Sequence, residues 1–139
     1  MSSNFSGGCC CGAVRYKSSV EPVMQGNCHC TMCRKLSGTA HASMFAMPKQ
    51  AIEIEGDLKF YEFTADSGNT VKRGFCTTCG SPVYNENEGM PELCMIHANS
   101  LDDPELFRPN VVVFSESAVS WDPIDASLPS FPGMPPMPV

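Results

Sequence analysis

The sequence lacks a long hydrophobic run and an excess of positive charge. Its longest strongly apolar stretch, residues 111–114, is far shorter than the roughly 20 residues of a membrane-spanning helix. The first eight residues contain neither the basic patch nor the apolar run of a signal peptide. Only 9 Lys and Arg stand against 15 Asp and Glu, which gives a formal net charge of −6. Nucleic-acid binding needs clustered cations, so the acidic charge predicts a protein that does not bind nucleic acid. The short apolar run and the missing signal peptide predict a cytoplasmic protein that does not bind membranes.

The sequence also lacks any helical period that is sustained over ten residues. Short segments with alternating or β-branched residues recur instead, separated by Gly and Pro, and this pattern is typical of a mostly-β domain. Short helical turns are predicted at residues 34–38, where Gly38 would close the turn, and at 100–106, after a capping Ser100. The clearest strand signals lie at residues 13–17, 23–27, 40–47, 51–55, 58–64, 70–75, 82–84, 92–98 and 111–114. The predicted fold is therefore a small complex β-sheet domain with one or two short helical turns.

The composition divides the chain into a domain at residues 1–127 and a Pro-rich tail at 128–139. Residues 1–8 read as a loose start. The tail holds five of the twelve prolines and no charged residue. Proline lacks an amide hydrogen and has a fixed φ, so the tail cannot be a central strand or a helix. We expect an extended segment that lies over the domain or projects from it. The alternative is a strap for another subunit, which leaves an oligomer open.

Cysteine is abundant, in contrast to these absences. The chain has nine cysteines, and an odd number cannot be fully paired in intramolecular disulfides. Seven of them form three groups: Cys9-x-Cys11 before Gly12, Cys28-x-Cys30-x-x-Cys33, and Cys76-x-x-Cys79 before Gly80. Such short spacers let two thiolates reach one tetrahedral ion, and three groups in a reduced compartment predict zinc rather than disulfides or an iron–sulfur cluster.

The number of ligands suggests two kinds of zinc site. A structural zinc takes four protein ligands, and the two paired groups supply them from Cys9, Cys11, Cys76 and Cys79. A catalytic zinc commonly has three protein ligands and one open position, and Cys28, Cys30 and Cys33 supply three. The alternative is that His97 or Cys94 closes the second site, which would make both zinc ions structural.

The cysteine motifs in their sequence context resemble the glutathione-dependent formaldehyde-activating enzyme family, which also includes centromere protein V. The resemblance rests on three segments, at residues 8–16, 28–35 and 75–81, with further similarity at residues 98–104 and at Trp121. It covers residues 5–125. The resemblance implies a mostly-β fold with zinc knuckles and the same division of ligands between a structural and a catalytic zinc.

The same resemblance implies an activity. A family member of this kind is a zinc-dependent carbon–sulfur lyase, similar to S-hydroxymethylglutathione synthase, whose partners are a thiol such as glutathione and an aldehyde such as formaldehyde. Arg34 and Lys35 follow the last ligand of the three-cysteine group and are candidates for binding an anionic thiol substrate. Two rival interpretations remain: a non-catalytic zinc-binding interaction module, and a thiol-redox protein that uses Cys10.

Overall fold

The computed structural model describes residues 4–65 and 67–135, which are mostly β as predicted. The described residues contain ten strands, arranged in sheets of three and seven, and a single α-helix. The strands are β1 Phe5–Gly8, β2 Arg15–Ser18, β3 Met24–Cys28, β4 Ala42–Pro48, β5 Ile52–Glu55, β6 Leu58–Thr64, β7 Thr70–Cys76, β8 Pro82–Asn87, β9 Leu93–His97 and β10 Val111–Val113, and the helix is α1 Thr31–Ser37. No helix in this described part is long and apolar enough to cross a membrane.

The chain divides into two units. The first comprises the residues up to Met24 together with Phe45–Phe107, and the second comprises Gln25–Met44 and the chain from Arg108 onward. Strand β4 contributes residues to both units. Each unit contains one of the two ligand sets predicted from the sequence.

The first unit contains the main hydrophobic core. Strands β1, β2 and β5 form an antiparallel sheet, in which Tyr16 lies opposite Gly7 on one side and Ile54 on the other. The strands predicted at residues 58–64 and 70–75 are confirmed as β6 and β7, which pair as an antiparallel hairpin, and β8 and β9 continue this antiparallel order. Fully buried side chains between these elements include Phe5, Phe45, Met47, Val83 and Ile96.

The second unit is built around a parallel pair of strands. Val111 to Val113 of β10 pair with Gly26 to Cys28 of β3, so that β3 ends at the first cysteine of the predicted three-cysteine site. The backbone amide of His29 donates to the carbonyl of Val113 at 3.1 Å and extends this pairing by one residue. Helix α1 begins three residues after β3 and ends at Ser37, and Gly38, which was predicted to close the turn, caps the helix in the left-handed conformation (φ 77°).

The beginning of the chain differs from the prediction. Residues 1–8 were expected to be a loose start, and this is wrong for residues 5–8, which form β1; residues 1–3 lie outside the described residues. Gly7 and Gly8 have low β propensity, so the local sequence gives little strand signal. Pairing with β2 and burial of Phe5, which is 2 % exposed, stabilise the strand instead.

The helical turns also differ in position and number. Helix α1 begins three residues before the predicted turn at 34–38, because the side chain of Cys30 accepts a hydrogen bond from the amide of Cys33 and caps the helix. The predicted turn at 100–106 divides into two 3-10 turns, Ala98–Ser100 and Pro104–Leu106, and Asp103 rather than Ser100 caps the second. Two further 3-10 turns occur at Lys49–Ala51 and Ser115–Ser117.

Candidate metal centres

The first unit brings together the four cysteines predicted to bind a structural zinc. Cys9 and Cys11 lie in the turn after β1, whereas Cys76 ends β7 and Cys79 lies in the turn that follows. One ligand atom from each lies within 4.8 Å of the other three. The two turns are closed by hydrogen bonds from Gly12 to the carbonyl of Cys9 and from Gly80 to that of Cys76. Both glycines have positive φ, which L side chains adopt at a cost.

The geometry of this four-cysteine site fits a tetrahedral zinc ion. With Zn–S distances of about 2.3 Å, two sulfur ligands lie about 3.8 Å apart. The sulfur of Cys11 lies 3.6 Å from that of Cys9 and 3.7 Å from that of Cys76. Backbone amides point at the sulfurs, as the N–H of Val14 does to Cys9 at 3.2 Å. A hydrogen bond with Ser81 lowers the pKa of the Cys79 thiol to about 5, which favours the thiolate that zinc needs.

The second unit brings together the three cysteines predicted to bind a catalytic zinc. Cys28 ends β3, Cys30 caps α1, and Cys33 lies in the first turn of that helix. Their three sulfurs lie within 4.8 Å of one another, and no fourth His, Cys, Asp or Glu of residues 4–65 and 67–135 joins this group. Hydrogen bonds from the thiols of Cys28 and Cys33 lower the pKa of Cys30 to about 3. One thiolate is therefore already favoured, as expected for a soft-metal site.

The two predicted substrate-binding residues lie on α1 but have different surroundings. Arg34 is half-buried, and its guanidinium donates a hydrogen bond to the carbonyl of Ser117 at 3.3 Å. Lys35 is exposed. Lys35 is thus the better placed of the two to meet a dissolved anion, whereas Arg34 holds the helix to the chain that follows β10.

The two remaining cysteines differ in their exposure to solvent. Cys10, between two ligands, is exposed. Cys94 is fully buried in the core of the first unit, and burial raises the pKa of its thiol to about 11. Neither of them, nor His97, belongs to a group of three or more converging metal-ligating side chains in the described part of the chain.

A third group of converging side chains was not predicted from the sequence. His29, His41 and Asp122 each place one ligand atom within 4.8 Å of the other two. The three residues are far apart in the chain and belong to no spaced motif, so no sequence signal marks them as a group. The positions of β3 and β4 bring the two imidazoles together, with ring centroids 4.8 Å apart.

Comparisons with known proteins identify the same family that the cysteine motifs resemble. A Halomonas elongata protein, named as a candidate glutathione-dependent formaldehyde-activating enzyme, is 28 % identical over 129 residues, which cover 88 % of this chain and 82 % of that protein. The crystal structure of a Rhodobacter sphaeroides protein is similar in fold, with a TM-score of 0.56 and 24 % identity over 70 % of this chain and 87 % of that one. The model of the glutathione-dependent formaldehyde-activating enzyme family matches residues 4–117, and the chain therefore belongs to this family.

Proposed function

We propose that the protein is a zinc-dependent carbon–sulfur lyase that forms and breaks the adduct between a thiol, glutathione being the first candidate, and an aldehyde such as formaldehyde. The observation that carries this proposal is the three-sulfur group of Cys28, Cys30 and Cys33, which leaves a tetrahedral ion one position for an exchangeable ligand. Family membership supports the choice of substrates. We further propose two zinc ions per chain and a cytoplasmic location, where thiols remain reduced.

The reaction is balanced without another reactant. In the synthetic direction the thiol sulfur bonds to the aldehyde carbon, the π bond of the carbonyl breaks, and the thiol proton ends on the new hydroxyl oxygen. The lyase direction reverses these changes. Bound zinc would supply Lewis acidity and would stabilise the substrate as a thiolate.

The residues of the second unit have separate roles in this proposal. Cys28, Cys30 and Cys33 hold the ion, and α1 fixes the last two by the hydrogen bond from the amide of Cys33 to the sulfur of Cys30. Lys35, exposed on the same helix, attracts the carboxylates of an anionic thiol, and Arg34 keeps the helix in place through Ser117. The four-cysteine site has no role in the chemistry and stabilises the first unit.

The proposal is tested by measuring the exchange of formaldehyde and glutathione with their adduct by NMR, with and without the zinc-loaded protein. We expect faster exchange that increases with protein concentration. Cys30→Ser removes one ligand of the three-cysteine site and should abolish the acceleration, whereas Cys10→Ser changes an exposed cysteine outside both sites and should retain it.

Two outcomes would contradict the lyase proposal. If the zinc-loaded protein does not accelerate exchange at any concentration, the interaction-module interpretation is favoured. If Cys10→Ser loses the acceleration and Cys30→Ser keeps it, a redox role of Cys10 is favoured. Resistance of the thiols, Cys10 included, to alkylation in the zinc-loaded protein would count against that redox role.

A further inference from the structure

We propose that His29, His41 and Asp122 form a third metal site, which binds a divalent first-row transition ion through two imidazoles and one carboxylate. The site lies in the second unit and contains none of the seven cysteine ligands. The inference does not rest on the proposed lyase activity, because this group shares no side chain with the three-cysteine group.

The geometry of the three side chains supports a shared ion. Nδ1 of His41 lies 2.5 Å from Oδ2 of Asp122, and Nδ1 of His29 lies 3.7 Å from the same oxygen. The carboxylate therefore faces both rings. With metal–ligand distances of about 2.0–2.2 Å, the ligands of one zinc ion lie roughly 3–3.5 Å apart, so small side-chain shifts bring all three atoms into coordination distance.

The state of His29 points to a ligand from outside the described residues. Its side chain is 3 % exposed, and its Nδ1 has no hydrogen-bond partner among the described residues. A buried polar atom without a partner costs about 1–3 kcal/mol. The His41–Asp122 hydrogen bond pairs Nδ1 of His41 with Oδ2 of Asp122 but leaves Nδ1 of His29 unpaired. A metal ion that accepts the lone pair of Nδ1 would satisfy it.

The chemistry of the donors defines the class of ion. Imidazole nitrogen favours Zn²⁺, Fe²⁺, Ni²⁺ or Cu²⁺, whereas Mg²⁺ and Ca²⁺ prefer sites made of oxygen. The side chains of His41 and Asp122 are 28 % and 22 % exposed, so solvent can reach the ion from their side and fill the remaining positions. His29 can serve this site because its neighbours Cys28 and Cys30 direct their sulfurs to the other group.

The proposal is tested by counting metal ions in protein reconstituted with Zn²⁺ and dialysed to remove weakly bound ions. We expect Asp122→Asn and His41→Gln each to contain one ion fewer than the unaltered protein. Asp125→Asn is the matched control, because this nearby exposed carboxylate bonds only to Ser127 among the contacts described. It should retain the full number.

Titration with Co²⁺ provides a second readout. Binding at a site without sulfur adds no thiolate charge-transfer band, but it should quench the fluorescence of Trp121, the residue next to Asp122 and the single tryptophan of the chain. We expect saturable quenching whose affinity falls by more than about tenfold in Asp122→Asn and His41→Gln, since loss of an outer-shell partner alone commonly weakens metal binding 10–100-fold. Mg²⁺ should neither quench nor compete.

Two results would overturn the third site. One is an equal metal count in the unaltered protein and both ligand variants. The other is Trp121 quenching that the ligand variants leave unchanged. The thiolate charge-transfer band of the cysteine sites, recorded on the same samples, shows whether each variant is folded. If one variant loses this band, the result of the other variant decides the test. Failure of the lyase proposal would change neither readout.

Discussion

At the residue scale, His97 is the clearest source of pH dependence in the first unit. The side chain is buried, with only 6 % of the residue exposed, and the amide of Asn85 lies 3.4 Å from its Nε2. Burial, aided by the charge of Arg73, lowers the pKa of His97 from 6.5 to about 4. Between these two values the unfolded chain binds a proton that the folded chain does not. The contribution of His97 therefore makes the protein less stable as the pH falls from about 6.5 to about 4.

We predict that His97→Gln reduces the loss of stability on acidification. For the pKa values given, His97 should account for about 2 kcal/mol of the stability lost between about pH 7.5 and pH 5. The free energy of unfolding, measured in urea at both pH values for both proteins, tests this. The zinc ligands are the same in the two proteins, so their protonation cancels in the difference. Parallel pH profiles would show that His97 does not titrate as inferred.

Lys35 allows a test of whether the protein recognises the charge of its thiol substrate. We predict that Lys35→Ala raises KM for glutathione about two- to fivefold and leaves kcat unchanged, since an exposed charge contact contributes about 0.2–1 kcal/mol. The KM for an uncharged small thiol should not change. Lys59→Ala, which alters an exposed lysine of β6 in the first unit, is the control. An equal rise in KM for charged and uncharged thiols would contradict recognition by charge.

At the scale of elements, the sequence predicts the strands and helices that are marked by their own residues. The strand signals at residues 51–55, 58–64 and 70–75 suffice to predict β5, β6 and β7. Strand β1 escapes prediction because its stability comes from a partner strand rather than from its own residues. The start of α1 is missed for a similar reason, since Cys30 was assigned as a metal ligand although its sulfur also caps the helix.

The position of the Pro-rich tail is set by its hydrogen bonds to β10. The amide of Val112 donates to the carbonyl of Pro129, and the amide of Phe131 donates back to that of Val112, both at 2.9 Å. Residues 129–133 thus lie along β10 and the residues after it, in agreement with the prediction of an extended segment over the domain; residues 136–139 lie outside the described residues. The domain boundary at residue 127 and the role of the tail in an oligomer stay predictions.

We predict that truncation after Ser127 destabilises the protein and promotes aggregation. It removes the partners of Val112, Phe114 and Ser115, and several backbone hydrogen bonds at about 0.5–1.5 kcal/mol each correspond to about 2–4 kcal/mol. The exposed edge of β10 would then be free to pair with other chains. Thermal unfolding and light scattering measure both effects. Truncation after Pro135 keeps these contacts and should behave like the full chain, so equal behaviour of the two truncations would contradict the prediction.

At the scale of the whole molecule, the two cysteine sites are predictable because each is assembled from short motifs. Spacing alone indicates that the sulfurs of Cys28, Cys30 and Cys33 converge on one ion. The number of ligands that a structural zinc needs then groups the four remaining cysteines of the motifs, Cys9, Cys11, Cys76 and Cys79. The group of His29, His41 and Asp122 has no such spacing, because the neighbouring strands β3 and β4 bring the two histidines together and Asp122 comes from the chain after β10. Sequence reasoning considers each of these residues alone and therefore misses the group.

The four-cysteine site should contribute more to stability than the three-cysteine site. It joins the turn after β1 to the end of β7, and Cys11 and Cys76 are 65 residues apart. The three cysteines of the other site lie within six residues, so their ion closes only short loops. Because the entropy of loop closure increases with loop length, the long-range site restricts the unfolded chain more.

We therefore predict that Cys76→Ser and Cys30→Ser each lose one zinc ion but differ in stability. Cys76→Ser should unfold at a clearly lower urea concentration or fail to fold, whereas Cys30→Ser should keep its fold and lose activity. Metal analysis and urea unfolding on the same samples test both parts. Cys10→Ser, which changes an exposed cysteine between Cys9 and Cys11, should retain the zinc ions of both cysteine sites and full stability. Equal destabilisation by Cys76→Ser and Cys30→Ser would show that the two ions hold the fold alike, as a purely structural zinc module requires.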